Sequence, residues 1–240
     1  MEFNLSLARH LVRSISLISL TALATVVGFS YLVRSSPMSS TSASMKGTFP
    51  SPAIDMPKST AKGEQTLVLA GGCFWGVEAV FEHLKGVSNV VSGYSGGSAN
   101  TAQYERVGSG QTGHAEAVKI TYDPSKISYG QLLKVYFSVA HDPTQLNRQG
   151  PDVGSQYRSA IFFSNPEQKR VAQAYIQQLN QARVFSKAIV TQLTPLNKFY
   201  AAEGYHQNFI AKNPNHPYVV IHDLPKLNQL KQQFASLYHN

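Results

Sequence analysis

Residues 66–240 predict an α/β (α+β) domain, on three observations. An apolar run, Thr66-Leu67-Val68-Leu69-Ala70, has the length of a buried strand and leads into Val77, Val80, Phe81 and Leu84 at helical spacing. Val118 and Ile120 alternate with polar residues within Ala117–Tyr122, the period of a half-buried strand. Ser128-Tyr129-Gly130-Gln131 has capping-box spacing and precedes Leu132, Leu133, Tyr136, Phe137 and Ala140 on one helical face. Strand and helix signals alternate along the chain, the pattern of α/β and α+β domains.

In chain order, the first region reads as a targeting segment. Arg9 and Arg13 precede Ile15–Val33, nineteen residues without a charge, and Arg34 closes the run. A bilayer core needs ~20 apolar residues, and a signal-peptide core is shorter, at roughly 7–15. Residues 1–34 are therefore expected to be an uncleaved signal-anchor or, second, a cleaved signal peptide with Ala22-Leu23-Ala24 as its small-residue site. The protein is expected to be membrane-anchored or exported. Arg9 and Arg13 place the domain on the periplasmic or extracytoplasmic side, and Arg34 opposes that orientation. Residues 35–65, rich in Ser, Thr, Pro, Lys and Met, are expected to form a flexible linker.

Within the domain, Gly71-Gly72 lets the backbone turn tightly after the first strand. Cys73 then falls at a strand-to-helix turn, where free N–H groups and the helix dipole favour a thiolate. Gly86 follows the helix end. Val87–Tyr94 reads as a strand, 98–113 as a loop and Asp123-Pro124 as a turn. A long polar loop runs from His141 to Arg158, of a length that is often functional. Ser159–Phe163 is a strand candidate, and Asn165-Pro166 opens a helix. Ala188–Leu193 is another strand candidate, and a helix is expected near residue 205, within Tyr200–Ile210. Leu227, Leu230, Phe234 and Leu237 recur at helical intervals to the end.

Composition narrows the function. Hydrophobic residues are 42% and charged ones 14%, which suits a folded domain. The net charge is +8, of which +5 falls on residues 66–240, without a run of basic residues. Nucleic-acid binding is therefore not expected. No Cys/His cluster has zinc spacing, and no glycine-rich loop is built for phosphate. The chain has one cysteine, so any thiol chemistry starts from Cys73.

Gly72-Cys73-Phe74-Trp75-Gly76 resembles the active-site signature of the methionine sulfoxide reductase A family, and the resemblance continues through residues 67–222. It implies a compact two-layer α/β sandwich with a mixed sheet, related to the ferredoxin-like arrangement. It also implies reduction of methionine (S)-sulfoxide, in proteins and as the free amino acid; a monomer is expected. Sulfoxide reduction needs a soft nucleophile, a proton for the departing oxygen and an apolar pocket for the S-methyl group. By the resemblance Cys73 is the nucleophile. Glu116, in Gly113-His114-Ala115-Glu116, is the acid. Tyr104 and Tyr157 bind the oxygen, Asp152 is a supporting carboxylate, and Phe74 and Trp75 form the methyl pocket.

No metal and no organic cofactor is implied. The reductant is an external thiol, such as thioredoxin, glutaredoxin or a small thiol. Many members carry further cysteines near the C-terminus; this chain has none after Cys73, so a sulfenic acid must be recycled from outside. Glu203-Gly204-Tyr205-His206-Gln207-Asn208-Phe209 has glycine where the family commonly has an acid, which argues against reductant docking there.

Two other readings compete. An exported thiol hydrolase would need His114, His141 or His206 within reach of Cys73. A membrane-tethered binding module would need no chemistry at all.

Overall fold

A computed structural model describes residues 49–57 and 63–239. The expected targeting segment and most of the linker lie outside the described residues. Among the described residues, no helix is long and apolar enough to cross a membrane.

β1 (Gln65–Ala70) is buried on both faces, which is why its sequence is apolar without alternation. α1 (Phe74–Glu82) follows, with Cys73 as its N-cap residue. Gly86 turns the chain at φ +95°, where a Cβ would stand 2.8 Å from Ile127 Cγ2, so glycine serves there for both reasons. β2 (Val87–Ser95) matches the expected strand. The expected loop 98–113 contains a 3₁₀ turn at Ala99–Thr101 and one helical turn, α2 (Tyr104–Val107), pinned by the fully buried Val107.

β3 (Ala115–Tyr122) begins two residues earlier than its alternation indicated and takes in Glu116. α3 (Tyr129–Val135) has the capping box in full: Gln131 N donates to Ser128 Oγ at 3.1 Å, and Ser128 N donates to Gln131 Oε1 at 2.9 Å. It widens into a π turn over Tyr136–Ala140. The long loop to Arg158 holds a small hairpin, β4 (Arg148–Gln149) with β5 (Asp152–Val153), and a 3₁₀ turn at Ser155–Tyr157.

β6 (Ala160–Phe163) leads to α4 (Pro166–Gln181), where Gln168 N donates to Asn165 Oδ1 at 2.9 Å. β7 (Gln192–Pro195) lies four residues beyond the start of the expected strand. The chain first makes a turn whose Ile189 N–H is taken by Asn180.

The helix expected over 200–210 is a correction. That stretch forms β8 (Phe199–Ala201), then turns, and only α5 (Phe209–Lys212) is helical. Gly93 admits β8: a Cβ there would stand 2.2 Å from Tyr200 O. Beyond β8, the Gln207 side chain takes the place of a strand. It accepts from Ser92 N and donates to Ser92 O, both at 2.9 Å, and so holds the stretch against the edge of β2. A π turn at Val219–Asp223 runs into α6 (Leu224–Gln233). The end of the chain returns to α1, with Lys85 N donating to Leu237 O at 2.8 Å.

The sheet order is β7-β6-β1-β3-β2-β8. β6 and β7 are parallel and the other pairs antiparallel, so the sheet is mixed. Within it, β1-α1-β2-β3-α3-β6 is the β-α-β-β-α-β unit of ferredoxin-like folds. One face carries Leu67, Leu69, Val118, Ile120 and Ile161 against α1, α3, α4 and α6. The other face is built of small residues, among them Ala70, Ala115, Ala117 and Ala160, and is covered by Leu196 and Phe199. The two-layer sandwich implied by the resemblance is the fold adopted.

Residues 49–57 fall inside the expected flexible linker, yet they are bonded to the domain. Asp55 accepts from Ser128 Oγ at 2.5 Å and from Gly130 N at 2.7 Å, capping α3 a second time. Tyr175 Oη donates to Pro50 O at 2.6 Å, and Gln178 bonds the backbone of Ser51 and Ala53, both at 2.8 Å. A polar linker composition does not reveal such main-chain partners. Asp55→Ala removes two bonds to a helix start and should lower unfolding stability by about 1–2 kcal/mol, read as a lower urea midpoint at unchanged slope.

Candidate active site

The strand pleat places the first functional side chain. Glu116 is two residues before Val118 and four before Ile120, so it shares their helix-facing side of β3. There it points at the start of α1, and Phe74 N donates to Glu116 Oε2 at 3.1 Å. The carboxyl is thus anchored one residue from Cys73. Glu116 is 2% exposed and Cys73 9%.

Burial decides the protonation of both. Burial first, then the charge of Asp152, raises the Glu116 pKa to about 8 against the pull of the Phe74 N–H, so Glu116 is mostly a neutral acid at pH 7. The Cys73 thiol is also pushed well above its ordinary value, by burial first and then by Glu116 and Asp223. The Trp75 N–H and Lys226 oppose this. The thiolate expected from the helix start is therefore not the resting form; desolvation outweighs the helix N-terminus.

The other expected residues converge on the same place. Tyr104 opens α2, its N–H held by Glu203 Oε1 at 3.0 Å. Burial, then Glu116 and Cys73, push its phenol up to about 12. Tyr157 ends the 3₁₀ turn, and its phenol is raised by burial and then by Glu116 and Asp152. Both remain protonated donors at neutral pH. Asp152 lies on β5 and accepts a short hydrogen bond from Tyr218 Oη.

Phe74 is 1% exposed and packs at ring-centroid distances of 5.0 Å from His206 and 5.9 Å from Tyr94. Trp75 is half-buried and stacked on Phe209 at 3.6 Å, with the Tyr218 ring edge-on at 6.0 Å.

A family profile described as Peptide methionine sulfoxide reductase matches residues 65–238. The chain belongs to this family. It is an enzyme of the family's reaction class, reduction of methionine sulfoxide in peptides. A relative from Mesorhizobium japonicum, named Peptide methionine sulfoxide reductase MsrA 2, is 59% identical over 183 residues, 76% of this chain and 94% of the relative. One of the same name from Synechocystis is 56% identical over 188 residues, 78% and 88% of the two chains. Among solved structures, reduced Mxr1 from Saccharomyces cerevisiae superposes with a TM-score of 0.59 at 33% identity, covering 67% of this chain and 91% of that one.

The hydrogen bonds of the three histidines go to groups other than Cys73, so nothing in the structure supports the hydrolase reading. His141 bonds Ser159 Oγ at 2.7 Å and Tyr136 O at 3.1 Å, and burial lowers its pKa to about 4. His114 is held by Ser98 O at 3.0 Å and Gly97 N at 3.2 Å. His206 Nδ1 accepts from Trp75 Nε1 at 3.1 Å, and its buried Nε2 has no hydrogen-bond partner.

Sequence reasoning missed several residues of the site. Tyr218, which orients Asp152, follows Pro217 in a stretch without usable periodicity. Glu203 receives Tyr94 Oη at 2.8 Å as well as Tyr104 N, joining β2 to α2. It was legible only as part of the segment 203–209. Asp223 and Lys226 had no signal beyond an i, i+3 charge pair on a helix.

Proposed function

We propose that the family's reaction is carried here by Cys73 on methionine (S)-sulfoxide, in oxidised proteins and as the free amino acid. The observation that carries this reading is the buried Glu116 carboxyl, bonded one residue from the sole cysteine, where burial pushes it toward its neutral form. Because Glu116 Oε2 accepts the Phe74 N–H, Oε1 is the oxygen free to hold the proton.

The steps follow from the groups present. The Cys73 sulfur attacks the sulfoxide sulfur as a thiolate, and the sulfoxide oxygen takes the Glu116 proton. Tyr104 and Tyr157 donate to that oxygen, stabilising the charge that develops on it. Asp152, oriented by Tyr218, supports the substrate beside Cys73, and Phe74 with Trp75 forms the apolar wall for the methyl group. Collapse transfers the OH to Cys73 and releases methionine. Cys73 loses two electrons and becomes a sulfenic acid, and the sulfoxide sulfur gains them.

No second thiol in the chain can condense with that sulfenic acid. An external thiol, from a thioredoxin, a glutaredoxin or a small molecule, attacks it and releases water. A second thiol then splits the mixed disulfide and restores Cys73. No prosthetic group takes part in this cycle.

We also propose that residues 1–34 act as a signal-anchor or signal peptide, on the strength of the uncharged run Ile15–Val33. The domain then works on the extracytoplasmic side.

Four outcomes are expected. The single-turnover rate should rise with pH up to about 8. It should then level off, because the Glu116 acid is lost as fast as the Cys73 thiolate is gained. Glu116→Gln should be slower by ~10²–10⁴ and should keep rising past that point; a variant as fast as the parent removes Glu116 from the reaction. Without reductant, one enzyme should yield about one methionine and a dimedone adduct on the Cys73 peptide; several equivalents would overturn the single-cysteine cycle. In a bacterial host the full chain should fractionate with membranes or be processed, whereas the chain from Lys46 onward should be soluble and active. Unprocessed full-length protein in the soluble fraction would refute the targeting role.

A further inference from the structure

The C-terminal segment holds no cysteine, yet it closes on Cys73. The π turn at 219–223 and α6 are seated on α1 through Ala79, Val219, Trp75, Leu224 and Leu227. This seating delivers Asp223 and Lys226 to the first turn of α1, at Gly76. A Cβ at Gly76 would stand 2.2 Å from Asp223 Oδ1 and 2.7 Å from Lys226 Nζ. Lys226 Nζ donates to Asp223 Oδ1 at 3.1 Å. Asp223 is 0% exposed, and its Oδ2 has no hydrogen-bond partner.

This arrangement is poor as a stabilising device. Breaking or leaving unpaired a buried charge is costly, and a buried ion pair often contributes no more than an apolar replacement. A glycine inside a helix adds a further loss relative to alanine. These costs fall together beside the only thiol in the chain, a combination that marks functional sites.

We propose that Asp223 and Lys226 are positioning residues for Cys73: their ion pair, packed on the first turn of α1, sets the fraction of Cys73 present as thiolate. The proposal rests on Cys73 being the nucleophile. Lys226 supplies the cation that favours the thiolate, and Asp223 holds that cation in place while tempering it.

The other groups facing the sulfur leave this role open. Glu116 from β3 is largely neutral near pH 7. Tyr104, Tyr157 and Tyr218 keep their protons, since burial raises all three. Asp152 is engaged by Tyr218. Behind the site, His141 is neutral and feels Lys226, and His222 acts on Asp223. The charges of Asp223 and Lys226 act on Cys73 in opposite directions, the first raising its pKa and the second lowering it.

Opposite signs make the test sharp. Cys73 is the only cysteine, so iodoacetamide alkylation followed by intact mass reports on it alone. Lys226→Met should slow alkylation at pH 7.5 by about threefold to tenfold and move its pH midpoint up; Asp223→Asn should speed it by a similar factor and move the midpoint down. Lys226→Arg should restore the parental profile. If both substitutions shift the midpoint the same way, or neither shifts it, the proposal fails. Should Asp223→Asn not fold, as read by circular dichroism, Lys226→Met against Lys226→Arg decides: equal profiles overturn the proposal, and a slow Met with a parental Arg supports it. Alkylation needs no sulfoxide, so its result is separate from the nucleophile assignment, which fails only if Cys73→Ser still reduces substrate.

Discussion

The hydrogen bond from Phe74 N to Glu116 Oε2 is the contact on which the site depends. It joins the start of α1 to the helix-facing side of β3, two elements that meet only because β1 and β3 are antiparallel neighbours. The β-α-β-β-α-β unit thereby brings a residue from the first crossover against one from the third strand. Without that pairing the cysteine and the acid would be 43 positions apart in the chain, with nothing to align them. Tyr104, Tyr157 and Asp152 are added from short elements outside the main sheet; Glu203 holds Tyr104 N and Tyr218 holds the Asp152 carboxylate. That division of labour, a rigid pair on the sheet and adjustable donors on loops, is common where sites are built on scaffolds.

Burial sets the electrostatics. Desolvation is the largest cause for Cys73, Glu116, Tyr104 and Tyr157 alike, and it pushes every one of them toward the neutral form. Neutral acids can lie close together without mutual repulsion, which an ionised cluster cannot do. The site is therefore assembled in a low-charge state. Charge has to develop when the substrate oxygen arrives to receive it, where pre-placed donors contribute most.

Much of this was legible in the residues. The apolar run ending in two glycines placed Cys73 correctly, and the spacing Ser128–Gln131 specified a helix start to the residue. The alternation of Val118 and Ile120 marked the strand but not its true start, because Ala115 and Glu116 continue it without a strong β preference; the face Glu116 occupies is visible only in the structure. The stretch 200–210 misled because Tyr205, Phe209 and Ile210 mimic a helical face. Gln207 overrides that pattern by bonding its side chain to Ser92, a tertiary contact that no local period encodes. The resting state of Cys73 was misread for a related reason. Position at a helix start is local, whereas desolvation depends on everything packed around it. Tyr218 and the residues 49–57 act through bonds to distant backbone or carboxylate, and composition carries no record of such partners.

The return of the chain's end to α1, through Lys85 N and Leu237 O, has a consequence in time rather than space. Cys73 is made well before Tyr218, Asp223 and Lys226, which lie 145 or more positions further along the chain. Chains fold as domains while they emerge, from the N-terminal side first. While the intervening residues are being added, the thiol therefore lacks the segment that packs on α1. Until that segment has been made, the nascent chain carries Cys73 without the residues that pack beside it.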